Sequence, residues 1–257
     1  MMHAEDRERA ILNLLERRGF ISFRELDKRL LASPATVRRD LERLAGEGRI
    51  VRVHGGAKVP GTGATGLTGV PFHENIKKYA AAKAAIGKAA AELCRPGESI
   101  IIDGGSTTLQ MCSHLEPLAL QVLTNSLHIV SALLPQPHTR VSVPAGNLFR
   151  EQNVVLSPFD DDGTSHFRAS KMFIGAASVG KQGLMQTDTI LLQAERRLIA
   201  RAQSVILMTD SSKFRLAAGQ VLCDLASLAV VITDSGISDA DARMIKRAGS
   251  TLVVANA

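Results

Sequence analysis

The sequence predicts an N-terminal winged helix-turn-helix, mainly α-helical, joined to a C-terminal α/β domain with a mostly parallel sheet. Three observations point there. Residues 33–48, SPATVRRDLERLAGEG, carry a helix start, a core period and a stop in order, and RIVRVHGG follows as an alternating run with a Gly-Gly turn. Beyond residue 75, seven short β-branched runs alternate with helical stretches, the pattern of a parallel sheet with crossover helices. Between them, AKVPGTGATGLTGVPFH at 57–73 is rich in Gly, Thr and Pro and sets neither period, so it reads as a linker. The expected division is 1–57 for the first domain, 58–74 for the linker and 75–257 for the second domain.

The chain has 257 residues, 45% apolar, 22% charged and 4% aromatic, which suits a folded globular protein and excludes global disorder. No run approaches about 18 uninterrupted apolar residues, so no membrane span is expected. The opening MMHAEDRERAILNLL carries charges where a secretory signal needs an apolar core, which places the chain in the cytoplasm. Cys94, Cys112 and Cys223 are odd in number and widely spaced, so they read as reduced thiols without a disulfide or zinc role. Without Trp and with a single Tyr, the chain offers few platforms for stacking single-stranded bases. Of the net charge of +6, residues 1–60 supply +4 (13 Lys/Arg against 9 Asp/Glu), concentrating the positive excess at the front.

In the first domain, Ile11, Leu12, Leu14 and Leu15 mark an amphipathic helix ending at Gly19. Phe20–Ile21–Ser22 leads to a short second helix over Phe23–Leu30. In the third, Ser33 is a suitable N-cap and Pro34 a suitable first residue, while Val37, Leu41 and Leu44 form the buried face. The opposite face shows Thr36, Arg38, Arg39 and Arg43. A helix of this kind fits the major groove with its N-terminal residues, here Ser33, Ala35 and Thr36, nearest the base edges. The arginine forks suit guanine or phosphate. In the wing, Arg49, Arg52 and His54 are placed to touch the DNA backbone or the minor groove. The competing reading is a solvated helix face, with the arginines paired to Asp40, Glu42 and Glu47.

In the second domain, the chemistry sits where strands end. SIIIDGGSTTLQM runs from an apolar strand into Asp103, Gly104, Gly105, Ser106, Thr107 and Thr108. Glycines admit an anion to the backbone N–H groups, and the hydroxyls add donors. A plain strand-to-helix turn explains the same residues. Thr124 and Asn125 end another strand, where ligands of open α/β sheets sit, although Thr124 serves equally as a cap. Ala145, Gly146 and Asn147 follow a third. In MTDSSKF, Lys213 supplies a point charge for a phosphate or is a surface lysine. In QTDTILLQAERRLIARA, Asp188 precedes a helix whose Leu191, Leu192, Leu198 and Ile199 are core, with Glu195 and Arg196 turned to the pocket. Asp160–Asp162 read as a solvated loop rather than a metal site, and no catalytic constellation or cofactor motif is present.

The stretch SPATVRRDLERLAGEGRIVRVHGGA resembles the DNA-binding segment of the DeoR family of bacterial transcriptional regulators, down to its RRDL core and HGGA wing, and the likeness runs over nearly the whole chain. The resemblance implies a larger domain similar to sugar-phosphate isomerases that binds a phosphorylated sugar, and it matches Asp210–Lys213 to the family's D-x-SK motif. Two departures stand out. Ala145–Gly146 replaces the usual Gly pair. Leu191 and Glu195 stand where many members have an acidic residue and a Lys. Asp188 with Glu195, and LSPFDDDG at 156–163, are closest to the ascorbate-utilisation repressor branch, whose effector is a phosphorylated ascorbate.

Two functions compete. The first is a repressor of a carbohydrate-utilisation operon. It binds double-stranded operator DNA as a homodimer or homotetramer and is released by a phosphorylated sugar or sugar acid. The second is a sugar-phosphate isomerase or deaminase with an appended DNA-binding module, using Asp103, Asp188 and Glu195 as acid and base. A complete module on a linker, without a convincing acid/base constellation beside the phosphate loop, favours the first.

Overall fold

The computed structural model describes residues 4–18, 20–22, 26, 30, 32–53, 56–58, 72–150, 152–157, 161–215 and 219–256. The chain divides into two compact units, Met1–Thr68 and Gly69–Ala257.

The first unit contains α1 (Ala4–Arg18), β1 (Phe20–Ser22), α2 (Pro34–Gly46), β2 (Val51–Val53) and β3 (Gly56–Lys58). Ile11 and Leu15 of α1 meet Val37, Leu41 and Leu44 of α2, with Leu26, Leu30, Ile50 and Ala57 completing one apolar core. The helix expected over Phe23–Leu30 lies largely outside the described residues. Leu26 and Leu30 are buried, and Leu30 N–H donates to the Leu26 carbonyl over 2.9 Å, one helical hydrogen bond. The wing pairs β2 with β3 antiparallel as expected, and β1 adds a third strand on the far side of β3. Sequence reading treated Phe20–Ser22 only as a junction; three residues are too few for a period-2 signal. Lys58 belongs to β3, so the wing runs one residue into the predicted 58–74 linker, whose residues 59–71 lie outside the described ones.

The second unit opens with a helical turn, α3 (Phe72–Asn75), followed by α4 (Ala80–Ala91). A single helix from Ile76 is expected; the structure breaks it at Tyr79, whose φ of 53° is left-handed. Then come β4 (Ser99–Ile102), a 3₁₀ segment at Thr108–His114, β5 (Gln121–Leu123), α5 (Leu127–Leu133), β6 (Arg140–Ser142), β7 (Asn147–Phe149), β8 (Val154–Leu156) and β9 (Ala169–Ile174). The chain continues through β10 (Ser178–Gly180), β11 (Gly183–Gln186), α6 (Thr189–Ile199), β12 (Ala202–Met208), β13 (Gln220–Cys223), β14 (Val230–Asp234), α7 (Asp239–Arg247) and β15 (Thr251–Ala255).

The seven strands expected from the β-branched runs form one sheet, ordered β15-β14-β12-β9-β4-β5-β6, with every neighbouring pair parallel. Alternate residues serve opposite faces. Ile100, Ile102, Phe173, Ile206 and Met208 pack with α4, the 3₁₀ segment and α5; Ile101, Met172, Ile174, Val205 and Leu207 pack with α6 and α7. Both faces are covered, which is why these strands read as unbroken apolar runs. The short antiparallel pieces, β7-β8 and β10-β11-β13, escaped the sequence reading. Because the main sheet is parallel, residues 103–108, 124–126, 175 and 209–213, each following a strand's end, share its carboxyl edge.

Candidate nucleic-acid interface and effector site

In the first unit, α2 begins as its sequence dictates. Ser33 Oγ accepts from Thr36 N–H over 3.2 Å, Pro34 takes the first turn, and Gly48 at φ 70° closes the helix after its C-cap Glu47. Val37, Leu41 and Leu44 are buried, leaving Ser33, Ala35, Arg38, Arg39 and Arg43 exposed and Thr36 half-buried. Of the ion pairs the solvated-face reading assumed for Arg38, Arg39 and Arg43, the one between Arg43 and Glu47 is present and the others are not among the described residues. Asp40 turns inward to Arg7 of α1 (2.7 Å), so it holds two helices together instead of neutralising its neighbours. Arg43 is shared between Glu8 (2.6 Å) and Glu47 (3.0 Å), Arg49 joins Glu8, and Arg52 of the wing meets Glu42 at 2.9 Å. Arg38 and Arg39 have no such partner among the described residues. They are the uncommitted charges on this face; His54 lies outside the described residues.

In the second unit, the loop after β4 is built on close approach. A Cβ at Gly104 would stand 2.6 Å from Val154 Cγ1 and 3.3 Å from Asn125 Oδ1, and one at Gly105 would stand 3.0 Å from Thr108 Oγ1. Thr108 is fully buried, and its hydroxyl donates to the Asp103 carbonyl (2.7 Å) and the Gly105 carbonyl (3.0 Å), so it shapes the turn from within. The backbone N–H groups of Gly105, Ser106 and Thr107, and the hydroxyls of Ser106 and Thr107, make no hydrogen bond among the described residues. Those five donors are available to an acceptor. The following helix is 3₁₀ and begins at Thr108, later and tighter than expected.

Beside it, Thr124 is buried and its Oγ1 accepts from Ser126 N–H at 3.1 Å, a capping role. Ser126 caps α5, whose His128 stacks on Phe72 with ring centroids 3.9 Å apart; burial lowers the His128 pKa. Asn125 is 2% exposed and its Oδ1 has no partner among the described residues. Gly146 is fixed by β8: a Cβ there would meet the Leu156 carbonyl oxygen at 2.4 Å.

Asp188 caps α6, its Oδ1 accepting from Ile190 N–H (2.8 Å) and Leu191 N–H (3.2 Å). Two turns on, Glu195 is 5% exposed; its Oε1 accepts from Gln186 Nε2 at 2.7 Å and its Oε2 has no partner among the described residues. Burial pushes its pKa well above the carboxylate range, and the charge of Asp103 adds to the rise. Burial also pushes Asp103 up to about 6, against the N–H groups of Gly104 and Gly175 that donate to it. Arg196 faces away from this locus, donating to the Val221 carbonyl at 2.7 Å.

Lys213 lies half-buried in a 3₁₀ turn after β12, next to Asp210. The structure adds a residue that the sequence reading missed. Lys83, at the start of α4, is 1% exposed and donates to the Asn75 carbonyl oxygen at 2.5 Å. Its pKa is lowered by burial, raised by Asp210 and lowered again by Lys213, so these three groups share one field. The signal was a lysine on the i, i+3, i+7 face that Ile86 and Ala90 define as core. A second correction concerns 160–162. Asp162 is buried and holds Arg201 through both carboxylate oxygens (3.0 and 3.2 Å), so it is structural; Asp161 caps Gly163 N–H, and Asp160 lies outside the described residues.

A family profile described as the DeoR C-terminal sensor domain matches residues 78–235, and another described as a DeoR-like helix-turn-helix domain matches residues 7–62. The chain is 27% identical over 252 residues to the HTH-type transcriptional regulator UlaR of Shigella dysenteriae, covering 98% of this chain and 99% of that one. To UlaR of Salmonella newport it is 29% identical over 232 residues, covering 90% and 91%. Among solved structures it is similar to ribose 5-phosphate isomerase A of Methanocaldococcus jannaschii, with 16% identity, 51% and 53% of the two chains covered, and a TM-score of 0.38.

Proposed function

The chain belongs to the DeoR family of transcriptional regulators, and from that premise we propose how its two units divide the work. The first unit binds double-stranded operator DNA through α2, with Ser33, Ala35 and Thr36 towards the base edges and Arg38 and Arg39 as the principal charges. Arg43, Arg52 and His54 contribute at the rim. For Arg43 and Arg52 this means exchanging an exposed carboxylate for a DNA phosphate, a change that costs little because such surface pairs are worth about 0–1 kcal/mol. The regulator is a repressor of a carbohydrate-utilisation operon, acting in the cytoplasm as a homodimer or homotetramer on repeated half-sites.

The second unit senses a phosphorylated sugar or sugar acid, and the relatives' branch makes phosphorylated ascorbate the first candidate. Gly104–Thr107 and Lys213 take the phosphate, with Thr108 and Thr124 shaping the loops; Asp103, Asn125, Asp188 and Glu195 take the remainder. The observation that carries this reading is the set of uncommitted donors at Gly105–Thr107. Ser106 and Thr107 are 4% and 8% exposed, and an anion there satisfies several of these donors at once. Effector binding then biases the DNA-competent arrangement by a coupling of about 1–3 kcal/mol.

A thermal-shift screen of phosphorylated sugars and sugar acids, repeated with operator DNA, tests this. Stabilisation by a phosphorylated ligand, lost in Gly105→Val and Lys213→Ala while both variants still bind DNA, is expected. An unaltered dose response in both variants contradicts the site. Product formed from pentose or hexose phosphates would reinstate the isomerase reading, which the family of named regulators does not favour.

A further inference from the structure

The two outer strands of the main sheet meet water differently. β15 closes one side beside α7, whose Arg243, Lys246 and Arg247 keep that edge charged. β6 closes the other side, and there charge runs out. From Pro117 to Phe149 the only Lys, Arg, Asp or Glu is Arg140, in a chain that is 22% charged. Much of that stretch nevertheless faces solvent. Leu127, Leu134, Val143 and Leu148 are 38–72% exposed, four of the eight exposed large hydrophobic side chains among the described residues.

These four belong to one locality. Leu127 and Leu134 bracket α5 two turns apart, opposite the face that Ile129 and Leu133 give to the core. The helix is therefore apolar on both sides, the pattern of one enclosed all round. From α5 the chain passes to β6, and Val143 follows directly. The β7–β8 hairpin that carries Leu148 is tied to the head of α5. Leu127 N–H donates to the Asn153 carbonyl at 2.9 Å, and Val155 N–H to the Asn125 carbonyl at 2.7 Å.

The strand between them is open. Arg140 N–H donates to the Leu120 carbonyl (2.8 Å) and the Ser142 carbonyl accepts from Thr124 N–H (3.1 Å), so the alternation of a strand turns the backbone groups of Val141 outward. An edge without guarding charges invites pairing with another chain. Whatever covers this face must be as poor in charge as the face itself. A carboxylate or ammonium laid there would lose its water and find one arginine at most. The same face on another copy meets that condition by construction. A twofold axis also sets one β6 antiparallel to the other, so that two open edges can pair and the contact closes on itself.

We propose that α5, the β6 edge and β7 form the contact between two copies of this chain. The inference rests on the homo-oligomer in the reading above and names its surface.

Sedimentation of the full chain through a dilution series, at low and high salt, tests it. The parent is expected to self-associate, and no less tightly as salt rises, because the contact is apolar. Leu134→Glu and Val143→Glu are each expected to weaken the association by about tenfold or more. Val254→Glu, comparably exposed on β15 at the opposite edge, is expected to leave it unchanged. Thermal unfolding checks that each variant is folded; should Leu134→Glu or Val143→Glu fail, the other, on a different element, decides. Parent-sized assemblies in both variants, or equal weakening by Val254→Glu, overturn this inference and leave the homo-oligomer standing. A parent that stays monomeric at every concentration overturns both.

Discussion

The two units handle charge in opposite ways. In the first, Arg43, Arg49 and Arg52 are themselves 41–46% exposed where they meet Glu8 (17% exposed) and Glu42 (58%), so water and salt reach and screen the interaction from the arginine side. In the second, Arg201 and Asp162 pair at 9% and 6% exposure, Lys83 is enclosed, and Asp103 and Glu195 are buried. Exposed pairs exchange partners readily, which suits a surface that must trade carboxylates for DNA phosphates. Buried groups hold fixed positions at an energetic cost, which suits recognition of one small molecule. The exception in the first unit, Arg7 with Asp40, bridges α1 and α2 and belongs to its architecture.

Removing matched arginines from the two units gives the largest contrast. Arg201→Met strands the buried Asp162 charge and is expected to cost about 3–5 kcal/mol in denaturant unfolding. Arg43→Met is expected to stay within about 1 kcal/mol of the parent. Equal losses would erase the distinction.

Acidity sharpens it next. Asp103 has a folded pKa of about 6 against an ordinary value of 3.8, so the folded chain holds this proton more firmly than the unfolded one. Its contribution is present in full below about pH 4 and is lost as pH rises through 6, at most about 3 kcal/mol. Asp103→Asn should flatten stability between pH 4 and 6. Below that window the sign reverses, because Asp162 and Asp234 have lowered pKa values and lose their partners on protonation.

On the first unit, Arg38→Ala or Arg39→Ala is expected to weaken DNA binding by about 1–3 kcal/mol, or to reduce the salt slope by about one for a phosphate contact. Thermal stability should stay within about 0.5 kcal/mol. Unchanged affinity would remove them from the interface. The smallest effect is expected at Asp188→Ala, which loses the α6 cap for about 1 kcal/mol by thermal unfolding.

The seven parallel strands were legible because each reads as a β-branched run, the central ones buried on both faces. The capped α2 was legible because Ser33, Pro34, the Val37–Leu41–Leu44 period and Gly48 act locally. The strand ends nominated Asp103–Thr107, Asn125 and Lys213 correctly as loops on one edge. Partner choice was not legible. That Asp40 turns to Arg7, or Asp162 to Arg201, depends on contacts 33 and 39 residues apart in sequence. Lys83 was hidden because an alanine-rich helix gives little contrast between its faces. Leu191 and Glu195 showed where the chain departs from its family, but burial and the neighbouring Asp103 give Glu195 its character.

The account stands most directly on one titration: the full chain against a duplex it selects from a random pool, followed by anisotropy across a salt series, with and without a stabilising phosphorylated ligand. The expected result is affinity that falls linearly on logarithmic axes as salt rises, and a shift of that line of about 5–150-fold when the ligand is added. Binding indifferent to salt, or a line that the ligand leaves in place, would contradict it.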